Sequence, residues 1–357
     1  MAPATLEPRR MTRDATPYIG LYDVARASRL GLPQARANYK TLERIVSNFG
    51  FQRRDELTAK EFWCANALAR SVYGSAFRTW RRNYFRLAAP YRRLLARKTR
   101  GHDLPVVGWE MSPGMKRWLD AHGVAYLDVR LSAMRFYDDL LLDLSTNRAW
   151  LDREIASRFV RVTRPEFMSV AQRASVDDSE ADTLVLVGQV AGDSSLIRAD
   201  GREMTLSDFS DRIAELSAQY ARVLYRPHPK GAPARDPILR GLPRDPEASI
   251  YSHMARRASI CAISSSALDE AAAFGCPTFR LYEPTWAELH SASFVHEHVH
   301  VVRSAQLAGG AFSADGDVPI LRFMLGHNAS DLSPLRAPGP DRPAGAAAAG
   351  RDLRRTG

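Results

Sequence analysis

The sequence predicts an α/β fold, and three features of it carry that expectation. Short apolar runs of strand type, TLVLV at 183–187 the clearest, alternate with amphipathic stretches of helical period. Several of these runs end in loops of Gly, Ser, Pro and charged residues, which is where a parallel sheet presents groups to a ligand. The chain has 357 residues, 45% of them hydrophobic and 25% charged, enough to bury the core of one large or two medium domains.

In chain order, residues 18–51 and 58–98 have Leu, Ala and Arg at helical spacing, broken at Gly31-Leu32-Pro33 and Pro90, and read as a helical front end. The rhythm changes at LPVVGW from Leu104, a strand, followed by a helix over 112–122 closed by Gly123 and a strand over 125–131. A polar stretch at 169–182 marks a domain boundary. Beyond it come strands at 183–187, 222–225, 259–263 and 277–281, with helices at 206–220, 250–256 and 266–274. The expected organisation is a disordered start at 1–17, an amino-terminal domain with a helical front at 18–175, a carboxy-terminal domain at 176–335, and a disordered Pro-, Ala- and Gly-rich tail at 336–357.

The formal charge of +10 favours anionic partners. Residues 70–100 hold ten basic side chains and no acid, so this segment alone can account for the excess. Cys64, Cys261 and Cys276 are odd in number and far apart, which fits a reducing compartment better than a disulfide framework. No apolar h-region follows Arg9, Arg10 and Arg13, and no apolar run reaches about 18 residues. A cytoplasmic protein is expected, with peripheral association to the inner face of the membrane as a further expectation.

Three strand-end loops carry the candidate chemistry. In the first, Gln189 and Asp193 lie in GQVAGDSS, where a carboxylate can attack or hold an electrophilic centre; a turn or cap Asp is the plainer reading. In the second, Arg226, His228 and Lys230 cluster in YRPHPK, with prolines fixing the backbone around an imidazole that can reach a phosphate oxygen. In the third, Ser264, Ser265 and Ser266 precede a helix start that can receive an anion or simply be capped, and Glu270 is expected within reach of a ribose or base. HEHVH at 296–300 lacks the spacing of a zinc motif and reads as a strand edge or loop, and Asp138-Asp139 reads as solvated or paired with Arg135.

Taken in order, GQVAGDSSL, YRPHPK and ISSSALDEAAAFGCPT resemble the retaining β-Kdo glycosyltransferases of bacterial capsule and lipopolysaccharide O-antigen biosynthesis. VVGWEMSPGMKRWLDAHGVAYLDVRLSAMRFYDDL resembles their amino-terminal segment, so the likeness covers roughly residues 106–284. The resemblance implies a GT-B-like fold of two Rossmann-like domains facing a central cleft, here with a helical amino-terminal extension. It implies a CMP-β-Kdo donor, a saccharide or lipid-linked glycan acceptor, Asp193 as covalent nucleophile, Glu110 as acid/base, His228 on the leaving phosphate, and Ser264 to Ser266 on the phosphate or ribose. No metal is expected, since His, Arg and a helix start can stabilise a CMP leaving group unaided. The His-Pro and Ser-Ser elements recur in sialyl and polyol-phosphate transferases, which keeps another cytidine-dependent transfer open. Tyr73, Phe77, Trp80, Tyr84 and Phe85 among the arginines keep open a third reading, a basic protein that binds nucleic acid without catalysis.

Overall fold

The structure, a computed structural model, describes residues 15–21, 39–40, 42–47, 49–57, 76–132, 140–158, 160–161, 177–228, 241–247, 249–283 and 296–302, with Leu239 and a few positions between 61 and 71. These residues form a mixed α/β fold with two sheets. The expectations for Lys230, for Asp138-Asp139 and for the tail at 336–357 fall outside them.

The first sheet has seven strands: β1 (Thr16–Leu21), β2 (Phe51–Leu57), β3 (Val106–Trp109), β4 (Tyr126–Leu131), β5 (Leu140–Thr146), β6 (Val160–Arg161) and β11 (His296–Val302). Their order is β2-β1-β3-β4-β5-β11-β6. The first four run parallel, while β5, β11 and β6 each pair antiparallel with the strand before them. The helices beside it are α1 (Ala76–Phe85), α2 (Ala89–Thr99), α3 (Pro113–Ala121) and α4 (Ala149–Arg158).

This corrects the start of the expected helical front, whereas its stretch at 58–98 yields α1 and α2 on either side of the expected break near Pro90. Residues 16–21 and 51–57 are strands, and Thr16 and Pro17, expected to be disordered, begin β1. TPYIGL is an interior strand whose last four residues are buried, whereas FQRRDEL is an edge strand with its charges outward, so neither shows clean alternation. HEHVH likewise lies between β5 and β6 and is not an edge. Through β11 the carboxy-terminal segment contributes a strand to the first sheet.

Where local signals were strong, the expected elements form. In α3, Ser112 accepts the Met115 N–H and Pro113 occupies the first turn. At its other end Gly123 takes φ of 70°, with Gly123 N–H on Asp120 O and Val124 N–H on Leu119 O, a Schellman closure. Pro90 starts α2 after a bend, and Tyr91, Leu94 and Leu95 of α2 face the core.

The second sheet, β10-β9-β7-β8, is wholly parallel: β7 (Thr183–Val187), β8 (Arg222–Arg226), β9 (Ser259–Ala262) and β10 (Thr278–Arg280). All five residues of β7 are buried, as expected for a central parallel strand covered on both faces. Val185 and Val187 pack with Tyr251 and Met254 of α6 (Ile250–Ala255) and Leu268 and Ala271 of α7 (Ala267–Ala273). Leu184 and Leu186 pack on the opposite face with Ile213 and Leu216 of α5 (Ser210–Ser217). The single helix expected at 206–220 is instead a 3-10 turn at Leu206–Phe209 leading into α5, with a Thr205–Asp208 capping box at its start. Cys261 and Cys276 are free and buried, and burial pushes their thiols up to about 12 and 11. No helix among the described residues is long and apolar enough to cross a membrane.

The basic segment is less isolated than its sequence suggests. Arg97 and Lys98 reach Glu61 at 2.7 and 3.3 Å, and Lys98 also reaches Asp55 at 3.3 Å. Phe85, expected as a possible base-stacking ring, is buried against Ile197, which weakens the nucleic-acid reading. Tyr84 packs edge-on against Phe85.

A buried charge cluster braces the first sheet at the end of β3. Asp128 is fully buried, with Arg130 at 2.7 Å and the buried Lys116 at 3.3 Å, and it accepts the Met111 N–H at 2.7 Å. Burial opposes ionisation of Asp128, but Arg130, Lys116 and the hydrogen bonds outweigh it and hold the carboxyl below its usual range. A depressed folded-state pKa adds stability above the unfolded pKa of about 4, which is lost as pH falls through the folded value. Lys116→Met should therefore cost about 3 kcal/mol at pH 7, with a smaller deficit at acid pH where Asp128 is protonated. Urea denaturation at both pH values checks this, and equal midpoints for mutant and wild type at pH 7 would contradict it.

Candidate functional site

A parallel sheet whose strand order reverses leaves a crevice between the strands on either side of the reversal. In the second sheet, β8 lies on one side of β7 and β9 on the other, so the switch point falls between β7 and β9. The loops leaving those strands are residues 188–195 and 264–266. They are the first and third loops picked out in the sequence, and they are joined.

Gln189 makes the join. Its Oε1 accepts the Ser264 N–H at 3.0 Å, while its Nε2 donates to the Ser195 hydroxyl at 3.1 Å and approaches the Ser264 hydroxyl at 3.5 Å. Ser264 in turn donates its hydroxyl to the Ser195 carbonyl at 2.6 Å. The half-buried Asp193 completes the cluster. It caps the 3-10 turn Ser194–Leu196, with Oδ1 accepting the Ser195 N–H at 3.1 Å and the Ser195 hydroxyl at 3.2 Å.

The plainer reading of Asp193 as a cap is thus realised, and it leaves the functional one open. The bonds to its carboxylate all end on Oδ1, including a longer one from the Ser194 hydroxyl at 3.5 Å, and Oδ2 takes none among the described residues. One oxygen is anchored and the other is available. The preceding turn closes with Asp193 N–H on Val190 O at 3.0 Å and has Gly192 at φ of 75°, a conformation that side chains disfavour.

The second loop adjoins the first through the Gly188 N–H, which donates to Arg226 O at 2.8 Å. His228 is half-buried two residues beyond β8. Arg226, expected on a phosphate, is turned to other partners: its Nη1 pairs with Asp245 Oδ2 and donates to Glu247 O at 3.0 Å. Asp245 is buried, and this partner draws the guanidinium away from the expected role. Burial raises the Asp245 pKa, but hydrogen bonds from His253, the Glu247 N–H and Arg226 outweigh it and hold the carboxyl below its usual range. His253 lies between Glu180 at 2.6 Å and Asp245 at 2.9 Å. Glu270, expected near a ribose, is also buried and accepts the Tyr251 hydroxyl at 2.6 Å, a contact between α7 and α6.

Ser265 accepts the Ala267 N–H at 3.3 Å, so it caps the start of α7. Ser266 occupies the cap position without a side-chain capping bond.

Glu110 belongs to the first sheet, and its setting is equivalent. There β2 and β3 flank β1, so the order reverses beside β3, and Glu110 is the first residue past β3. Its φ is 48°, uncommon for a residue with a side chain. The Glu110 N–H on Val129 O at 2.8 Å and the Met111 N–H on Asp128 hold that conformation from both sides. Backbone strain of this kind often marks functional positions.

The structure therefore groups Gln189, Asp193 and Ser264, puts Ser265, Ser266 and His228 on the same edge, sets Glu110 at the corresponding place in the other sheet, and turns Arg226 and Glu270 inward. Sequence reasoning missed Ser195 as a site residue and missed Glu203, whose Oε1 accepts the Gly192 N–H. Asp193 itself held the signal for Ser195, since an Asp side chain in a turn commonly accepts from the backbone N–H two residues on.

No family model and no curated protein matches this chain. Among solved structures, KpsC of Thermosulfurimonas dismutans, a beta Kdo 2,7 transferase, is similar at 15% identity and a TM-score of 0.41, over 76% of this chain and 80% of that one. A likeness of that degree assigns neither activity nor site residues.

Proposed function

We propose that this protein is a retaining glycosyltransferase that moves Kdo from CMP-β-Kdo to a growing surface polysaccharide or glycolipid. The observation that carries the reading is the Gln189 bridge, which holds the Asp193 carboxylate beside the Ser264 loop at the switch point between β7 and β9. The ordered resemblance of the three loops to β-Kdo transferases supplies the donor. A sialyl or polyol-phosphate transfer would use the same His-Pro and Ser-Ser parts, and turnover of a panel of CMP- and CDP-activated donors separates these.

In the proposed reaction, Asp193 Oδ2 attacks the anomeric carbon as the bond to the phosphate oxygen breaks and CMP leaves with the electron pair. That carbon is tertiary and ionises readily, so a carboxylate can capture it. His228 and the Ser265 and Ser266 hydroxyls hold the leaving phosphate, while Ser264, whose hydroxyl is committed to the Ser195 carbonyl, shapes the loop that presents them. No metal enters the scheme. The acceptor hydroxyl then attacks the opposite face, its proton passes to Glu110, and the Asp193 carboxylate is released. Two inversions give retention.

Asp193→Asn keeps the side-chain shape and the Ser195 cap but removes the nucleophile. Transfer should fall by roughly ten-thousandfold with CMP affinity unchanged in calorimetry. Transfer at the wild-type rate in Asp193→Asn would contradict the reading.

A lipid-linked acceptor further implies work at a membrane surface. Arg86, Arg92, Arg93 and Arg100 are exposed on and beside α2 and have no ion pair among the described residues. Basic residues near an anionic bilayer contribute about 1 kcal/mol each. The protein should sediment with phosphatidylglycerol vesicles at low salt, and Arg92→Glu with Arg93→Glu should weaken this. Equal sedimentation with neutral vesicles would count against the membrane role.

A further inference from the structure

The turn that presents Asp193 leaves one backbone donor unused. Its own hydrogen bond runs from Asp193 N–H to Val190 O, so the Gly192 N–H in the middle of the turn needs an acceptor from elsewhere. Glu203 supplies it, eleven residues on.

Residues 196–204 double back to make this possible. Met204 N–H bonds Leu196 O at 2.8 Å, Arg198 N–H bonds Arg202 O at 2.9 Å, and Gly201, at φ of 82°, closes the tip with its N–H on Arg198 O. Ile197 and Glu203 form an antiparallel bridge within this hairpin. The hairpin is itself docked on α1, where the buried Ile197 packs with Phe85 and Glu203 Oε2 lies 3.8 Å from Arg81 Nη1. The Glu203 and Arg81 side chains are only 18% and 24% exposed, so the carboxylate is held by its surroundings and not left to wave in solvent.

We propose that Glu203 is a positioning residue for Asp193: its Oε1 fixes the 191–192 peptide and so the aim of the carboxylate, while Arg81 holds its Oε2. The pairing with Arg81 also offsets a second negative charge beside a site meant for an anionic donor. Glu203 touches neither donor nor acceptor in this scheme. Its effect is on the orientation of the attacking oxygen, which belongs to the chemical step and not to donor binding. The inference rests on the covalent role of Asp193 proposed above.

The test uses the full chain with CMP-β-Kdo generated in situ, and compares kcat, donor KM and amide exchange of the peptide containing Gly192. Glu203→Ala should lower kcat about ten- to a hundredfold, the usual effect of losing a hydrogen bond to a charged group, with donor KM unchanged and faster exchange at Gly192. Glu203→Gln still offers a carbonyl oxygen to the Gly192 N–H, so it should keep the exchange protection and recover most of kcat. Should Glu203→Ala not fold, Glu203→Asp is read in its place, since it keeps the charge but is one methylene too short to reach. Wild-type kcat in the shortened variant, or a loss in Glu203→Gln as large as in Glu203→Ala, would overturn the role of Glu203. Asp193→Asn in the same assay separates the two claims: wild-type turnover there overturns the covalent reading, whereas an inactive Asp193→Asn beside a fully active Glu203→Ala overturns the positioning role alone.

Discussion

The peptide N–H of Ser264 lies at the mouth of a parallel sheet, two residues past the end of β9, and takes its acceptor from a side chain. Gln189, the second residue past β7, meets it with Oε1 and uses Nε2 on Ser195. One amide thereby sets the spacing of the loops from adjacent strands. Shortening or removing that side chain would leave a half-buried N–H without its acceptor and free the Asp193 turn from the β9 end of the crevice. The rest of the candidate site is arranged around this bridge: Oδ1 of Asp193 is committed to the 3-10 turn, and Oδ2 takes no bond among the described residues.

The two sheets share this logic. Each has a parallel region whose strand order reverses, and a candidate catalytic carboxylate follows a strand at or beside each reversal: Glu110 after β3, and Asp193 in the loop after β7. The supports differ. Asp193 is held by neutral hydrogen bonds from short side chains and backbone, whereas the Glu110 backbone is held in a left-handed conformation by a neighbouring peptide bonded to the buried Asp128. A fully buried carboxylate with two cations is costly to assemble and survives only when completely paired, which gives the Glu110 turn a rigid base.

How much of this was legible follows from what each signal depends on. TLVLV, the Ser112-Pro113 start and the Gly123 stop are local, and the corresponding elements form where expected. The loops at 188–195 and 264–266 could be identified as strand-end loops because Gly and Ser clusters after apolar runs break the strand, although the same residues serve equally as caps, as Asp193 and Ser265 do. The strand FQRRDEL could not, because an edge strand with outward charges has no alternation to detect. Nor could the fates of Arg226 and Glu270: their partners Asp245 and Tyr251 are nineteen residues away, and a single sequence does not reveal that pairing. Glu203 escaped for the same reason, since it acts on Gly192 only because the hairpin folds back.

The central claim is that Asp193 forms a bond to the sugar, and mass spectrometry can read that bond directly. Glu110→Gln should slow the second displacement more than the first, so that incubation with CMP-β-Kdo leaves the intermediate on the protein. Proteolysis should then locate an added Kdo on the peptide that contains GQVAGDSS, on Asp193. An adduct on any other peptide, or retaining transfer that proceeds with no adduct in the mutant, would contradict the account.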